Sequence, residues 1–302
     1  MKRPHYDGRA DSWREVYRSP DPFGQKIRRR RDAVVAAVER TLGERRALIL
    51  DAGCGTGEVA RRLEELGHTV VGVELSQEML QEALNSPPPS GRRPFYLRGS
   101  IADLPLHPCS FDVVVCVGVL GHLPRLRLPD RMLDAESDAM RELVRVLRPG
   151  GFLVLTTTSL LRLHWLLDPV QLRRALRQRR RGQEHEKRLM LPGGGPDSLN
   201  RSLEPNWTRR RTPGEMREFL SRHGLDILEW TGIGFGPFTF LGRQILSFDR
   251  SVRLSASLER MAQLPGLRPL GRLAGTWVLT LAPRLLRREH AQSSSGAGDF
   301  RP

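Results

Sequence analysis

The stretch LILDAGCGTGEVA, residues 48–60, joins the pattern of a buried strand to a glycine-rich turn. Its apolar run ends at Asp51, glycines follow at positions 53, 55 and 57, and an amphipathic segment begins at Glu58. Continuous apolar runs are typical of parallel strands that are buried on both faces. The stretch therefore predicts a strand, a tight turn that a ligand can approach closely, and a helix.

Strand and helix patterns alternate through the rest of the chain. Because parallel strands need crossover connections, this alternation predicts an α/β fold with a parallel sheet covered on both faces. Predicted strands lie at 69–75, 94–100, 111–119, 151–158, 225–231 and 272–283, and predicted helices at 31–40, 57–67, 76–85, 130–147 and 212–224.

Positive charge is concentrated in two segments of the chain. The net charge is +15, with 10 Lys or Arg against four Asp or Glu in residues 1–31, and 13 against five in residues 158–211. Such segments either bind anionic partners or keep loops solvated. We therefore expect a basic N-terminal extension at 1–31, a ligand-binding core at 32–157, an Arg-rich insertion at 158–211, completion of the sheet at 212–284 with a hydrophobic insertion at 232–271, and a disordered tail at 285–302.

Composition favours a cytoplasmic protein. The N-terminus has no apolar segment of the signal-peptide type, and no apolar stretch reaches the length of a membrane span. The three cysteines, Cys54, Cys109 and Cys116, form no CxxC pair and no disulfide framework. Peripheral contact with an anionic membrane surface stays open as an alternative.

The ligand of the glycine turn is constrained by charge and spacing. A GxGxxG turn would need a glycine at Glu58, and no Lys followed by Ser or Thr is present to form a nucleoside-triphosphate loop. The acid at Glu58 would also repel a pyrophosphate at the helix N-terminus. Glu74, 21 positions after Gly53, is placed to hold a ribose diol, and Asp51 to sit near an ammonium group. These features favour S-adenosylmethionine.

Parts of the sequence resemble, in order, five motifs of class I S-adenosylmethionine-dependent methyltransferases. ILDAGCGTG (49–57) and VVGVELS (70–76) are similar to the first two motifs. GSIADLPLHPCSFDVVVCVGVLGHLP (99–124) resembles the third and fourth, and RELVRVLRPGGFLVLTT (141–157) the last. The resemblance implies a Rossmann-like, mostly parallel seven-stranded sheet with an inserted substrate cover, and points to the small-molecule and quinone-biosynthesis branch of the family.

The resemblance also implies cofactor-binding roles at the strand ends. The glycine turn would approach the methionine part and the adenosine, Glu74 the ribose hydroxyls, and the Val117 backbone the methionine moiety. Ser100 stands where relatives often carry an Asp that reads the adenine amine, so this role falls to the Ile101 backbone and Asp103. The implied set is Asp51, Gly53, Gly55, Gly57, Glu74, Leu75, Ser100, Ile101, Asp103 and Val117.

His122 matches a histidine that is frequent in these relatives, and two roles for it are open. It either orders the loop after the fourth strand, or faces the substrate as the catalytic general base. Methyl transfer itself depends mainly on alignment of the acceptor for in-line attack. No residues near this loop form a metal site of the catechol-methylating type, so no metal is expected.

The class of methyl acceptor is inferred by excluding the classes whose motifs the sequence lacks. The loop after the fourth strand lacks the Asn/Asp-Pro-Pro-aromatic run, the Pro-Cys pair and the paired glutamates of nucleic-acid and protein methyltransferases. A small, hydrophobic or lipid-like acceptor is favoured, with O-methylation as the reaction. Two alternatives remain: an RNA methyltransferase that uses the Arg-rich extensions, and a non-catalytic cofactor-binding module.

Overall fold

The computed structural model describes residues 10–86, 91–123, 125–127, 132–177, 180, 208–236, 238–241 and 243–284. Predictions that fall on residues 1–9, on most of the Arg-rich stretch at 178–207 and on the tail at 285–302 lie outside these residues. The described part forms a seven-stranded sheet with helices on both faces. Its strands are β1 (Leu48–Ala52), β2 (Thr69–Glu74), β3 (Phe95–Arg98), β4 (Phe111–Val117), β5 (Leu147–Thr158), β6 (Leu225–Ile233) and β7 (Thr276–Pro283).

The strand order is β3-β2-β1-β4-β5-β7-β6. The five strands from β3 to β5 pair in parallel, while β7 runs antiparallel to both β5 and β6. This confirms the α/β class with a mostly parallel sheet. The strand order reverses between β1 and β4: from β1 the chain adds strands on one side, and from β4 it adds them on the other. Ligands of open α/β sheets bind at such a point, beyond the carboxyl ends of the strands.

Helices cover both faces of the sheet. In chain order they are α1 (Ala10–Arg18), α2 (Pro22–Leu42), α3 (Glu58–Glu65), α4 (Gln77–Asn85), α5 (Ala135–Arg145), α6 (Leu163–Leu166), α7 (Pro213–Arg222) and α8 (Phe248–Met261), with 3-10 turns at Leu120–His122 and Pro265–Leu273. Residues 169–177 are also helical. Short hairpins pair Arg125–Arg127 with Met132–Asp134 and Thr239–Phe240 with Arg243–Gln244.

Alternation of side chains along the strands divides the core into two clusters. Leu50 of β1 packs toward α5 and α7, whereas Ile49 of the same strand packs toward α2 and α3. Both side chains are fully buried, which stabilises the fold by roughly 1.5–3 kcal/mol each. The sheet is therefore fixed from both sides, and its carboxyl edge is held in register.

Two helices begin elsewhere than the sequence pattern predicted. α2 starts at Pro22 rather than residue 31, because Asp21 caps it by accepting a 2.6 Å hydrogen bond from the Gly24 amide. It therefore continues through the expected boundary between residues 31 and 32. α5 starts at Ala135 rather than residue 130, because Asp134 ends a short strand and accepts a hydrogen bond from the Ser137 amide.

The hydrophobic insertion at 232–271 forms structure of its own. It contains α8, a short hairpin and a 3-10 turn. Phe235 and Phe238 pack with Ala262 and Ala274 in a third cluster, so part of this apolar sequence serves internal packing. Among the described residues, no helix combines the length and apolar character that a bilayer span requires.

Candidate active site

The predicted cofactor residues lie along one edge of the sheet. Asp51 belongs to β1, Glu74 ends β2, Ser100 follows β3 and Val117 ends β4. Because these four strands are parallel, their carboxyl ends meet at the same edge. The structure thus brings together residues that are spread over 67 positions in the sequence.

The glycine turn is tied to the end of β2 by hydrogen bonds. The amides of Gly53 and Cys54 donate to the Val73 carbonyl oxygen at 2.8 and 3.1 Å. The Gly55 amide donates to Glu74 Oε2 at 3.0 Å, and the Ser76 amide donates to Glu74 Oε1 at 2.8 Å. The carboxylate of Glu74 is therefore held in a fixed position beside the turn.

The three glycines of the turn differ in what surrounds them. All have positive φ, at 78°, 55° and 79° for Gly53, Gly55 and Gly57. A Cβ on Gly53 would lie 2.4 Å from Val119 Cγ2, and one on Gly57 would lie 2.3 Å from the Tyr96 hydroxyl. A Cβ on Gly55 would meet no atom within 4 Å. Open space therefore adjoins the turn at Gly55, while protein side chains fill it at the other two.

Asp51 is a buried acid with unused hydrogen-bonding capacity. Its residue is 1% exposed, and burial, reinforced by the charge of Glu74, raises the pKa of its carboxyl to about 7 against the lowering effect of the Ala60 amide. Its Oδ2 atom has no hydrogen-bond partner among the described residues. A cationic N–H donor from a ligand would satisfy this oxygen and favour the ionised carboxylate.

The residues after β2 and β3 present a different surface. Leu75 is 52% exposed at the sheet edge, whereas the Ile101 side chain is buried in the core. Ile101 can therefore offer a ligand only its backbone. Ser100 accepts a 3.2 Å hydrogen bond on Oγ from the Ala102 amide, and Asp103 is exposed, with its charge acting on Arg145.

The end of β4 is covered by two helices that sequence reasoning did not place there. A Cβ on Gly118, just after Val117, would lie 2.6 Å from Arg30 Nη1 of α2. Arg30 hydrogen bonds to Tyr17 of α1, and burial raises the pKa of that tyrosine. The sequence pattern gave no signal for this contact, because Arg30 precedes the helix predicted at 31–40.

α1 is also fixed at its middle. Arg14 donates a 2.8 Å hydrogen bond to Glu82 of α4 and forms an ion pair with it. α1 therefore contacts both α2 and α4. The charges of Glu58 and Asp51 act on Tyr17, which places this residue of α1 near the glycine turn.

His122 lies in the 3-10 turn after β4, against the segment that precedes α7. Its Nε2 atom and Thr208 Oγ1 are 3.4 Å apart. The Arg209 amide donates a 2.8 Å hydrogen bond to the Gly121 carbonyl oxygen. Arg209 and Arg211 both form ion pairs with the buried Glu136 of α5, so this segment is anchored beside the histidine.

Comparison with known proteins adds to this geometry. A family model described as a methyltransferase domain matches residues 50–155, from the first strand to the fifth. The ubiquinone biosynthesis O-methyltransferase of Thiobacillus denitrificans is 29% identical over 215 residues, which are 71% of this chain and 78% of that protein. These matches, together with the fold, support a class I S-adenosylmethionine-dependent methyltransferase.

Other relatives of this methyltransferase match over different lengths. The malonyl-[acyl-carrier protein] O-methyltransferase of Enterobacter lignolyticus is 35% identical over 132 residues, 44% of this chain and 46% of that protein. Magnesium protoporphyrin IX methyltransferase of Synechocystis PCC 6803 has a similar fold, with a TM-score of 0.53, 18% identity and coverage of 91% and 94% of the two chains. The [4+2]-cyclase SpnF has the same TM-score at 20% identity, with coverage of 91% and 92%. The fold alone therefore does not fix the reaction.

The methyltransferase uses S-adenosylmethionine as its cofactor. Three observations show that the residues present fit this group: the unpartnered Oδ2 of buried Asp51, the open space at Gly55, and the fixed carboxylate of Glu74. Among the described residues, no group of three or more His, Cys, Asp or Glu side chains forms a potential metal site.

Proposed function

We propose that this methyltransferase methylates an oxygen atom of a small acceptor. The single observation that carries the proposal is the edge formed by Gly55, Glu74 and Asp51, which has open space, a fixed acid and an unpartnered acid oxygen in one place. The choice of acceptor atom is supported by the names of the relatives, which are O-methyltransferases of ubiquinone biosynthesis and of malonyl-[acyl-carrier protein].

Each residue of this edge has a role in the proposal. Asp51 accepts the ammonium group of the cofactor, Glu74 accepts hydrogen bonds from the ribose hydroxyls, and the turn at Gly55 lets the ligand approach the backbone. Leu75 packs on the adenosine, and the Ser100–Asp103 turn provides the polar contacts to the adenine. Val117 contributes backbone contacts at the methionine end. When bound, S-adenosylmethionine supplies an electrophilic methyl group.

His122 is the proposed proton acceptor on the acceptor side of the site. A hydroxyl acceptor becomes a better nucleophile when its proton is taken up, and an imidazole titrates near neutral pH. The anchored segment at Thr208–Arg211 holds the loop that carries His122, so the ring has a defined place. In the alternative role, His122 only orders this loop. The same contacts support both roles, and measurement of the turnover rate of a His122 variant distinguishes them.

A lipid-like acceptor and peripheral membrane contact form the finer part of the proposal. Phe240, Leu241 and Ile245, in and beside the short hairpin, are 52%, 58% and 61% exposed. Arg243 of the same hairpin is exposed as well. Apolar side chains next to a cation are suited to the boundary of an anionic bilayer.

Vesicle sedimentation tests the membrane contact. We expect binding to anionic vesicles, none to neutral ones, and reduced binding of a Phe240→Ser, Ile245→Ser double variant. Leu267→Ser, which changes a 41% exposed leucine outside the hairpin, is the matched control. Equal sedimentation of the double variant and wild type would remove the hairpin from the proposal.

Isotope labelling tests the reaction. A metabolite extract incubated with the protein and a methyl-labelled donor should yield a labelled small molecule whose label is bound to oxygen. Label in RNA would favour a nucleic-acid methyltransferase that uses the Arg-rich extension. Binding of S-adenosylhomocysteine without label in any fraction would favour a non-catalytic module.

A further inference from the structure

Four basic side chains converge beside the carboxyl ends of β4 and β5. Lys26 and Arg30 lie one turn apart on α2, so they share one face of that helix. Arg162 follows β5, and Arg210 follows the Thr208–Arg209 contact with the loop of His122. Arg30 reaches Gly118, where a Cβ would meet its Nη1 atom at 2.6 Å. The cluster therefore borders the end of β4, where the methyl donor and the acceptor meet in the proposed reaction.

Trp165 joins two of these cations. The Cζ atom of Arg162 lies 4.3 Å from the centre of the Trp165 ring, and the Cζ atom of Arg210 lies 5.2 Å from it. Such stacking positions a guanidinium group while leaving N–H donors at its edge for other partners. The arginines are thus held in place without loss of their charge.

Three carboxylates in the described part of this region pair with arginines outside the cluster. Glu136 is paired with Arg209 and Arg211, Glu58 with Arg31 and Arg61, and Glu259 with Arg29. Asp51 lies in β1, and its charge acts on Tyr17, which hydrogen bonds to Arg30. The Nε atom of Arg30 is buried and has no hydrogen-bond partner among the described residues.

The positive charges of the cluster act on one another. Burial, reinforced by the charges of Arg162, Arg30 and Arg210, lowers the pKa of Lys26 to about 8. Burial and the charge of Arg210 also lower the pKa of Arg162. Lys26 is nevertheless an exposed residue, so a ligand can reach it. A bound anion would relieve both effects, because it offers each cation a charge-assisted hydrogen bond.

We propose that Lys26, Arg30 and Arg162 form a subsite for an anionic group of the methyl acceptor, a carboxylate or a phosphate. This inference rests on the methyltransferase function proposed above and narrows its acceptor to an acid. S-adenosylmethionine brings a further positive charge to the same edge, so an anionic acceptor also balances the complete site. A lipid-like acceptor then binds as an amphiphile, with its acid group at this cluster.

Binding of three small probes to the S-adenosylhomocysteine complex tests the subsite. Benzoate, phenyl phosphate and benzamide share a ring but differ in charge, and calorimetry measures each affinity. We expect at least one anion to bind about tenfold or more tightly than neutral benzamide, since charge-assisted hydrogen bonds are lost with the amide. Preference for benzoate identifies a carboxylate subsite, and preference for phenyl phosphate identifies a phosphate subsite.

Variants locate the binding on the cluster. Lys26→Gln and Arg162→Gln should each weaken the preferred anion by about tenfold, and Lys26→Arg should restore most of the affinity. Arg253→Gln, which removes the same charge from an exposed position on α8, should leave it unchanged. Affinity for S-adenosylhomocysteine reports folding and the cofactor site in every variant.

Two results would overturn the subsite while leaving the methyltransferase function intact. One is normal binding of S-adenosylhomocysteine together with no saturable binding of either anion at concentrations up to about 10 mM. The affinity for both anions would then be far weaker than that of a millimolar ligand. The other is equal loss of anion affinity in Arg253→Gln and in the cluster variants. Failure of S-adenosylhomocysteine to bind wild type would instead contradict the proposed function itself.

Discussion

The carboxylate of Glu74 at the end of β2 accepts a 3.0 Å hydrogen bond from the amide of Gly55 in the turn after β1. This hydrogen bond links the ends of the neighbouring strands β1 and β2, and it does so through Gly55, the glycine of the turn that adjoins open space. Glu74 therefore has two functions in the proposed site: it fixes the turn, and its carboxylate accepts hydrogen bonds from the ribose hydroxyls. A change at Glu74 acts on both.

Glu74→Gln should weaken binding of S-adenosylhomocysteine by about 1–3 kcal/mol, because a charged acceptor is replaced by an amide that has one acceptor oxygen. Isothermal calorimetry measures the difference. Glu218→Gln, on the exposed surface of α7, is the matched control and should bind as wild type does. Equal affinities for Glu74→Gln and the control would remove Glu74 from the cofactor site.

Gly55→Val should abolish detectable binding of S-adenosylhomocysteine, because the side chain occupies the open space beside the turn. Valine is also strained at the φ of 55° found here. Gly43→Val separates the two effects: Gly43 has a φ of 62° and no atom within 4 Å of its added Cβ, but it ends α2 away from the turn. Comparable loss of binding in both variants would attribute the effect to backbone strain alone.

The sequence pattern predicted most of this arrangement because it is local. The apolar run to Asp51, the glycines and the acid at Glu74 lie within 27 positions, and strand periodicity places them at one edge. The sequence did not show why a glycine is needed at each of these positions. Gly53, for example, leaves room for Val119, which follows a different strand. The contact of Arg30 with Gly118 spans 88 positions, and a run of arginines carries no sign of where its helix docks.

Ionisation of Asp51 should make stability depend on pH in the absence of ligand. Burial raises the pKa of this carboxyl from 3.8 to about 7, so the folded state binds more protons than the unfolded state between these values. Stability contributed by the protonated form is therefore lost as pH rises through this window, at about 1.4 kcal/mol per pH unit. Urea unfolding of wild type and Asp51→Asn from pH 4.5 to 7.5 measures the difference. A constant difference would contradict the raised pKa.

Glu136→Gln should destabilise the protein by about 3–5 kcal/mol, because it removes the counter-charge that the buried Arg211 shares with the half-buried Arg209. Asp138→Asn is the matched control, since Asp138 lies in the same first turn of α5 and pairs with the exposed Arg141. Its cost should stay below about 1 kcal/mol. Chemical denaturation measures both. Similar costs for the two variants would mean that the buried pairs do not anchor the segment before α7.

His122→Asn separates the two roles proposed for this histidine. Asparagine retains a polar side chain that can bond near Thr208, but it does not titrate at neutral pH. If His122 accepts the acceptor's proton, kcat should fall about 10²–10⁴-fold while affinity for S-adenosylhomocysteine stays unchanged. The pH dependence of kcat/KM should also lose the limb that an imidazole gives to wild type. Thr208→Val, which removes only the neighbouring hydroxyl, should retain that limb. A fall in kcat of less than about tenfold, with the pH profile preserved, would assign His122 to ordering the loop after β4, since general-base catalysis contributes more than this.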